Sequence, residues 1–106
     1  MKRLLALLAA LALVGALAVP ALAATKTIAL RDTFFSPRSA TVKKGTTVKW
    51  VWRGRLPHNV TVTKGPVKFH SRTFTRGSYA KKMTRRGTYR IVCTLHSGMN
   101  LTLRVK

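Results

Sequence analysis

From residue 24 to the C-terminus, no stretch of this chain repeats its apolar residues at the 3.6-residue period of a helix. Short runs of Val, Thr, Ile and aromatic residues stand there instead. They are broken by Gly, Pro or Ser at intervals of roughly ten residues, the cadence of a sandwich or barrel. Strands are expected over 25–30, 39–43, 47–52, 59–63, 79–83, 88–93 and 101–105, with turns at Lys44-Gly45-Thr46, Lys64-Gly65-Pro66 and Arg85-Arg86-Gly87. In "TVKKGTTVKWVW" the alternation places Val48, Trp50 and Trp52 on one face and Thr47, Lys49 and Val51 on the other. Leu101, Leu103 and Val105 likewise alternate with Thr102, Arg104 and Lys106, as a half-buried final strand would. About seven antiparallel strands in one short domain predict an all-β, two-sheet β-sandwich.

The preceding residues belong to a different kind of segment. Lys2 and Arg3 form a basic head, residues 4–19 contain only Leu, Ala, Val and Gly, and Pro20 ends the run. Ala21-Leu22-Ala23 then supplies the small-x-small pattern of a signal-peptidase site. An uncleaved membrane anchor is the alternative, but the run is shorter than the roughly 20 apolar residues that a bilayer needs. The expected division is a secretory signal peptide over 1–23 and one folded domain over 24–106. That places the mature protein in the periplasm, or outside the cell or in the cell envelope, of a bacterium or archaeon.

An exported domain this small commonly carries disulfides, yet Cys93 is the only cysteine. It cannot bridge within the chain, so it is a free thiol, an intermolecular bridge or a metal ligand. Its neighbourhood selects among these. In "RIVCTLHSGMNLTLRVK", Cys93, His96 and Met99 stand three residues apart, in what should be the loop between the last two strands. Thiolate, imidazole and thioether form a soft-leaning donor set suited to copper. A second imidazole is available from His58, which sits in "LPHNV" directly before an expected strand. Two His, one Cys and a long axial Met make the arrangement of a blue-copper electron-transfer site. The bland alternative, that a cysteine at a strand end is a small buried hydrophobe, leaves the spacing unexplained.

These residues give the chain its resemblance to the cupredoxins of the plastocyanin, amicyanin and pseudoazurin type. The matching stretches run from "FFSPRSATVKKGTTVKWVW" through "PHNV" and "GTYRIVCTLHSGM" to the final strand, nearly the whole mature domain. The short C-x2-H-x2-M loop is similar to that of amicyanin. The resemblance implies a Greek-key sandwich holding one type 1 copper ion, with His58, Cys93 and His96 as equatorial ligands and Met99 as the axial one. It implies that Asn59 donates its backbone amide to the cysteine sulfur and ties the two ligand loops together through its side chain, with Thr94 as partner. It also implies an apolar electron-entry patch around the edge of His96, made by Leu56, Pro57, Leu95, Gly98 and Met99. The sequence departs from the family at Leu101, where a glycine usually follows the methionine by two residues.

Other features read as ordinary. Met83 is expected in the core or on the sheet surface, and His70, in "KFHSRTF", in solvent. The sequons at Asn59-Val60-Thr61 and Asn100-Leu101-Thr102 adjoin the ligand residues, where a glycan would obstruct, and are read as chance. Asp32 is the sole carboxylate side chain, which rules out a paired acid/base site, and no Ser/His/Asp set can form away from it. The expectation is therefore an electron carrier and not an enzyme. The alternative from another class is a copper-binding protein for storage, delivery or sensing, and a more remote one is a cupredoxin without metal.

The charge bears on partners. The chain has 21 Lys+Arg against one Asp, a formal net charge of +20, spread through strands and turns. Such a surface steers encounters with an acidic redox protein (a cytochrome, oxidase or dehydrogenase). It would also suit retention on anionic envelope polymers, tolerance of an acidic exterior or plain solubility. Export and the ligand set argue against nucleic acid as partner, and a monomer is expected.

Overall fold

Alternation sets the first sheet. In strand β4, Thr47–Trp52, the side chains of Val48, Trp50 and Trp52 are buried while Lys49 is exposed, as a pleated strand with one core face requires. Strand β1, Thr25–Leu30, buries Ile28 and Leu30 beside it. The computed structural model describes residues 24–106, and the proposed signal segment over 1–23 lies outside the described residues. The remaining strands are β2, Phe35–Ser36; β3, Ser39–Val42; β5, Thr61–Lys64; β6, Ser78–Lys82; β7, Gly87–Val92; and β8, Asn100–Val105. No helix occurs among the described residues.

The strands form two four-stranded sheets, ordered β2-β1-β4-β6 and β3-β8-β7-β5. The sheets close on one core, in which Trp50, Tyr89, Phe35, Ile28, Leu30, Met83 and Ile91 are fully buried. Full burial of each large apolar side chain is worth about 1.5–3 kcal/mol. The all-β sandwich is as the sequence leads one to expect, but its pairing is mixed. Strand β1 pairs parallel with β4, and β3 parallel with β8. The chain crosses between sheets after β3 instead of turning back beside it, so several neighbours in a sheet, such as β1 and β4 or β3 and β8, are not neighbours in sequence. The two-residue β2 was also not anticipated, being too short to show alternation.

Three consequences position the far end of the sandwich. Strands β7 and β8 form a hairpin whose connection is the segment 93–99. Strand β5 pairs antiparallel with β7, with Thr61 opposite Val92. One step further along that register, Val60 comes level with Cys93, so His58 and Asn59 arrive at the same end. Leu101, the departure from the family pattern, is fully buried and pairs with Ile91. Its side chain simply joins the core face of β8.

The two tryptophans differ in what they do with their N–H. Trp52 Nε1 donates to the His58 carbonyl at 3.2 Å, whereas Trp50 Nε1 is buried near the rings of Phe69 and Tyr79 with no hydrogen-bond partner among the described residues. Replacing either by Phe removes the same atoms, but only Trp52→Phe loses a hydrogen bond. Denaturant midpoints of the copper-free protein should show Trp52→Phe costing about 1 kcal/mol more than Trp50→Phe.

Candidate metal centre

The loop closing the β7–β8 hairpin is wound tightly enough to bring residues three apart together. Met99 N–H donates to the His96 carbonyl, His96 N–H to the Cys93 carbonyl, and Cys93 N–H to the Met99 carbonyl. Gly98 supplies the reversal, with φ of 79°, a left-handed conformation that costs a non-glycine residue about 1–2 kcal/mol. The helical spacing in the sequence is thus met by a hydrogen-bonded turn and not by a helix.

Across from this loop stands His58, fully buried. A bridge to Phe74, with both backbone bonds formed, holds its main chain. The donor atoms of His58, Cys93 and His96 all lie within 4.8 Å of one another. Cys93 Sγ is 3.7 Å from His58 Nδ1, and the two imidazole rings lie 4.7 Å apart. With bonds to thiolate and imidazole of about 2.0–2.3 Å, as for zinc, two ligands at a trigonal angle are about 3.7 Å apart. The spacing therefore fits one shared transition-metal ion. The remaining sequence-selected residue of the loop, Met99, is fully buried at the loop's end. His70 is exposed and outside the cluster.

Burial holds the His58 pKa below its usual value, against the opposing pull of Asp32 and with some help from His96. The ring is accordingly neutral, the form that can ligate a metal. His96 is half-buried, and its Nε2 lies 3.2 Å from the Pro57 carbonyl oxygen. Around it Leu56 and Leu95, at 44% and 50% exposure, are the exposed large hydrophobic residues among those described. Pro57 and Gly98 are exposed too, while Met99 is buried beneath the surface.

Asn59 clasps the two loops. Its Nδ2 donates to Thr94 Oγ1 at 2.8 Å and to Thr73 Oγ1 at 3.3 Å, while its Oδ1 accepts from Thr94 N–H and from Thr61 Oγ1. The side-chain clasp between Asn59 and Thr94 is thus present in the structure. One neighbour the sequence reading left without a role is Asp32. Its Oδ1 accepts the backbone N–H groups of Arg55 and Leu56 at 2.8 and 3.0 Å and lies 3.4 Å from His58 Nε2. The one available signal was its uniqueness as the sole acid.

Comparison with known proteins agrees with this geometry. Residues 23–106 match the model of the copper binding proteins, plastocyanin/azurin family. No curated protein sequence matches the chain. Among solved structures, an amicyanin variant in its reduced state, with a proline replaced by phenylalanine, shares 26% identity at a TM-score of 0.69, covering 77% of this chain and 82% of that one. A purple cupredoxin from Nitrosopumilus maritimus shares 21% identity at a TM-score of 0.69, covering 76% and 99%. The copper-containing nitrite reductase of Thermus scotoductus SA-01 shares 23% identity at a TM-score of 0.65, covering 83% of this chain but 23% of its own. The two histidines and the cysteine give the soft nitrogen and sulfur donors that copper favours. With a family match over every described residue, the chain belongs to the copper-binding plastocyanin/azurin family, the cupredoxins.

Proposed function

We propose that this chain is an exported type 1 copper protein that carries single electrons between redox partners. One observation carries the reading: His58, Cys93 and His96 converge at one end of a two-sheet frame, where half-buried His96 stands among exposed Leu56 and Leu95. His58, Cys93, His96 and Met99 would hold the ion. Bound copper supplies a one-electron couple. The protein's part is to keep the donors in one arrangement in both oxidation states. Buried His58 is fixed by the frame, Cys93 by the end of β7, and Asn59 locks one ligand loop to the other. His96 and its apolar rim give a partner close approach to the centre, the small contact that suits brief encounters.

The same reading takes residues 1–23 as a cleaved export signal and the mature domain as monomeric, outside the cytoplasmic membrane. The likeness to a nitrite reductase extends to 23% of that enzyme's chain. The His58–Cys93–His96 group is the one cluster of three such metal donors among the described residues. Adding Cu(II) to the purified mature domain tests the site: an intense visible thiolate-to-copper band is expected, and its absence would sink the proposal. A band without rapid exchange with any redox protein would favour storage or delivery instead.

The mature domain's 19 Lys+Arg against one Asp, counted without Lys2 and Arg3 of the signal, set a further expectation. Exchange with an acidic cytochrome should be fast at low salt and slow by about tenfold or more as ionic strength rises to several times the physiological value, since steering raises association rates by about 10 to 1000-fold and is screened. Stopped-flow rates against salt measure it. A flat profile would assign the basic surface to another purpose, such as retention on anionic envelope polymers.

A further inference from the structure

The chain's single carboxylate side chain is not placed at random on its surface. Strands β1 and β4 run parallel with Leu30 opposite Trp52, so the loops that leave them, 31–34 and 53–57, emerge side by side. The Arg53 amide donates to the Leu30 carbonyl, and the Arg55 and Leu56 amides converge on Asp32 Oδ1. Gly54 completes the seat. A Cβ on that residue would fall 1.9 Å from Asp32 Oδ1 and 2.6 Å from its Cγ, so the carboxylate occupies the space a side chain would take.

The same Oδ1 faces the outer nitrogen of His58. Nε2 lies 3.4 Å from it, while Nδ1 of the same ring lies 3.7 Å from Cys93 Sγ. An ionised carboxylate only accepts hydrogen bonds. It therefore favours the tautomer with the proton on Nε2, which leaves the lone pair of Nδ1 directed at the metal centre. The geometry points to Asp32 as the positioning residue of His58, fixing its tautomer and ring orientation through Nε2 and lowering the preference of the bound ion for its reduced state. This inference rests on the copper reading for its second half alone. The first half concerns the metal-free protein. Carboxylate partners of ligating histidines raise ligand basicity and favour the more highly charged ion.

The loops also depend on Asp32 as an anchor, so loss of stability alone would prove nothing. Asp32→Asn keeps an oxygen for the two amides and removes the charge. Gly54→Ala leaves Asp32 and His58 themselves unchanged, but its Cβ displaces the carboxylate. In the metal-free mature domain, nitrogen NMR of the His58 ring should show the Nε2–H tautomer dominant in the native protein. Its ratio to the Nδ1–H form should fall severalfold in both variants. In the copper-loaded domain, Asp32→Asn should raise the midpoint potential, with copper(II) affinity reduced about tenfold, equivalent to about 59 mV for a one-electron couple. A native Nδ1–H tautomer, or a ratio unchanged in both variants, overturns the inference, as does an unchanged potential in a fully coloured Asp32→Asn protein. If the native domain binds no copper, the copper reading fails and the tautomer ratio alone decides for or against Asp32.

Discussion

Cys93→Ser should abolish the intense visible band of the copper-loaded domain and weaken its copper(II) affinity by at least 100-fold, a loss of about 2.7 kcal/mol or more. Cys93 is the only sulfur donor in the cluster of three and the only cysteine in the chain, so no neighbour can substitute. Serine is close in size but does not ionise near neutrality, and its hard oxygen suits copper poorly beside a thiolate. The fold should survive, because Cys93 is a small side chain at a strand end and the copper-free protein already carries it as a free thiol. Titration with Cu(II), followed by absorbance and by calorimetry, separates the two effects. An undiminished band in Cys93→Ser would remove thiolate from the centre and the blue-copper assignment with it.

What could be read in advance divides along a physical line. The strands with clean alternation were legible to within a residue or two: 25–30 and 47–52 stand as expected, and 101–105 begins one residue earlier, at Asn100. Alternation is a local property, written in each strand's own side chains. The parallel pairings of β1 with β4 and of β3 with β8 were not legible. Nothing in the residues 25–30 says which strand will lie beside them. The expected strand 59–63 begins two residues later, at Thr61, because His58 and Asn59 are held by the bridge to Phe74 and by the side-chain clasp. The segment that covers this edge, with bonds from Val62 to Phe69 and from Ser71 to Val60, has no periodic signal of its own.

The centre shows the same division. Cys93, His96 and Met99 are close in sequence, and their shared loop could be seen at once. His58 is distant in sequence and had to be picked from three histidines by its place directly before an expected strand, and the β5–β7 register supplies the physical route by which it arrives. Asp32 is the residue that reading missed. Its role depends on two loops made adjacent by a parallel pairing, and on an unfilled space at Gly54. None of these leaves a mark in one dimension beyond the presence of a single acid among many bases.

The largest loss of stability is expected from Tyr89→Ala. Tyr89 is fully buried in β7, four residues before Cys93, with Leu103 of β8 opposite it. Its ring packs with Phe69, and it lies so near Gly65 that a Cβ there would come within 2.7 Å of it. Its hydroxyl donates to the Arg85 carbonyl at 2.8 Å, tying the turn before β7 to the strand itself. Truncation to Ala should cost about 3–5 kcal/mol through lost burial and a residual cavity, out of a total of about 5–15 kcal/mol for a domain. Tyr89→Phe loses only the hydroxyl bond, about 1 kcal/mol. Urea unfolding of the copper-free proteins gives both numbers. Copper supplies the link to function, because an ion that binds only the folded centre adds about 4.1 kcal/mol of stability at a free concentration 1000 times its Kd. Tyr89→Ala should therefore unfold at markedly lower urea without copper, yet regain most of the difference when loaded, with its visible band intact. A loaded variant that stays as labile as the copper-free one would mean that the damage reaches the end of β7. Cys93 would then depend on the core for its position, and not on the hydrogen-bonded loop that follows it.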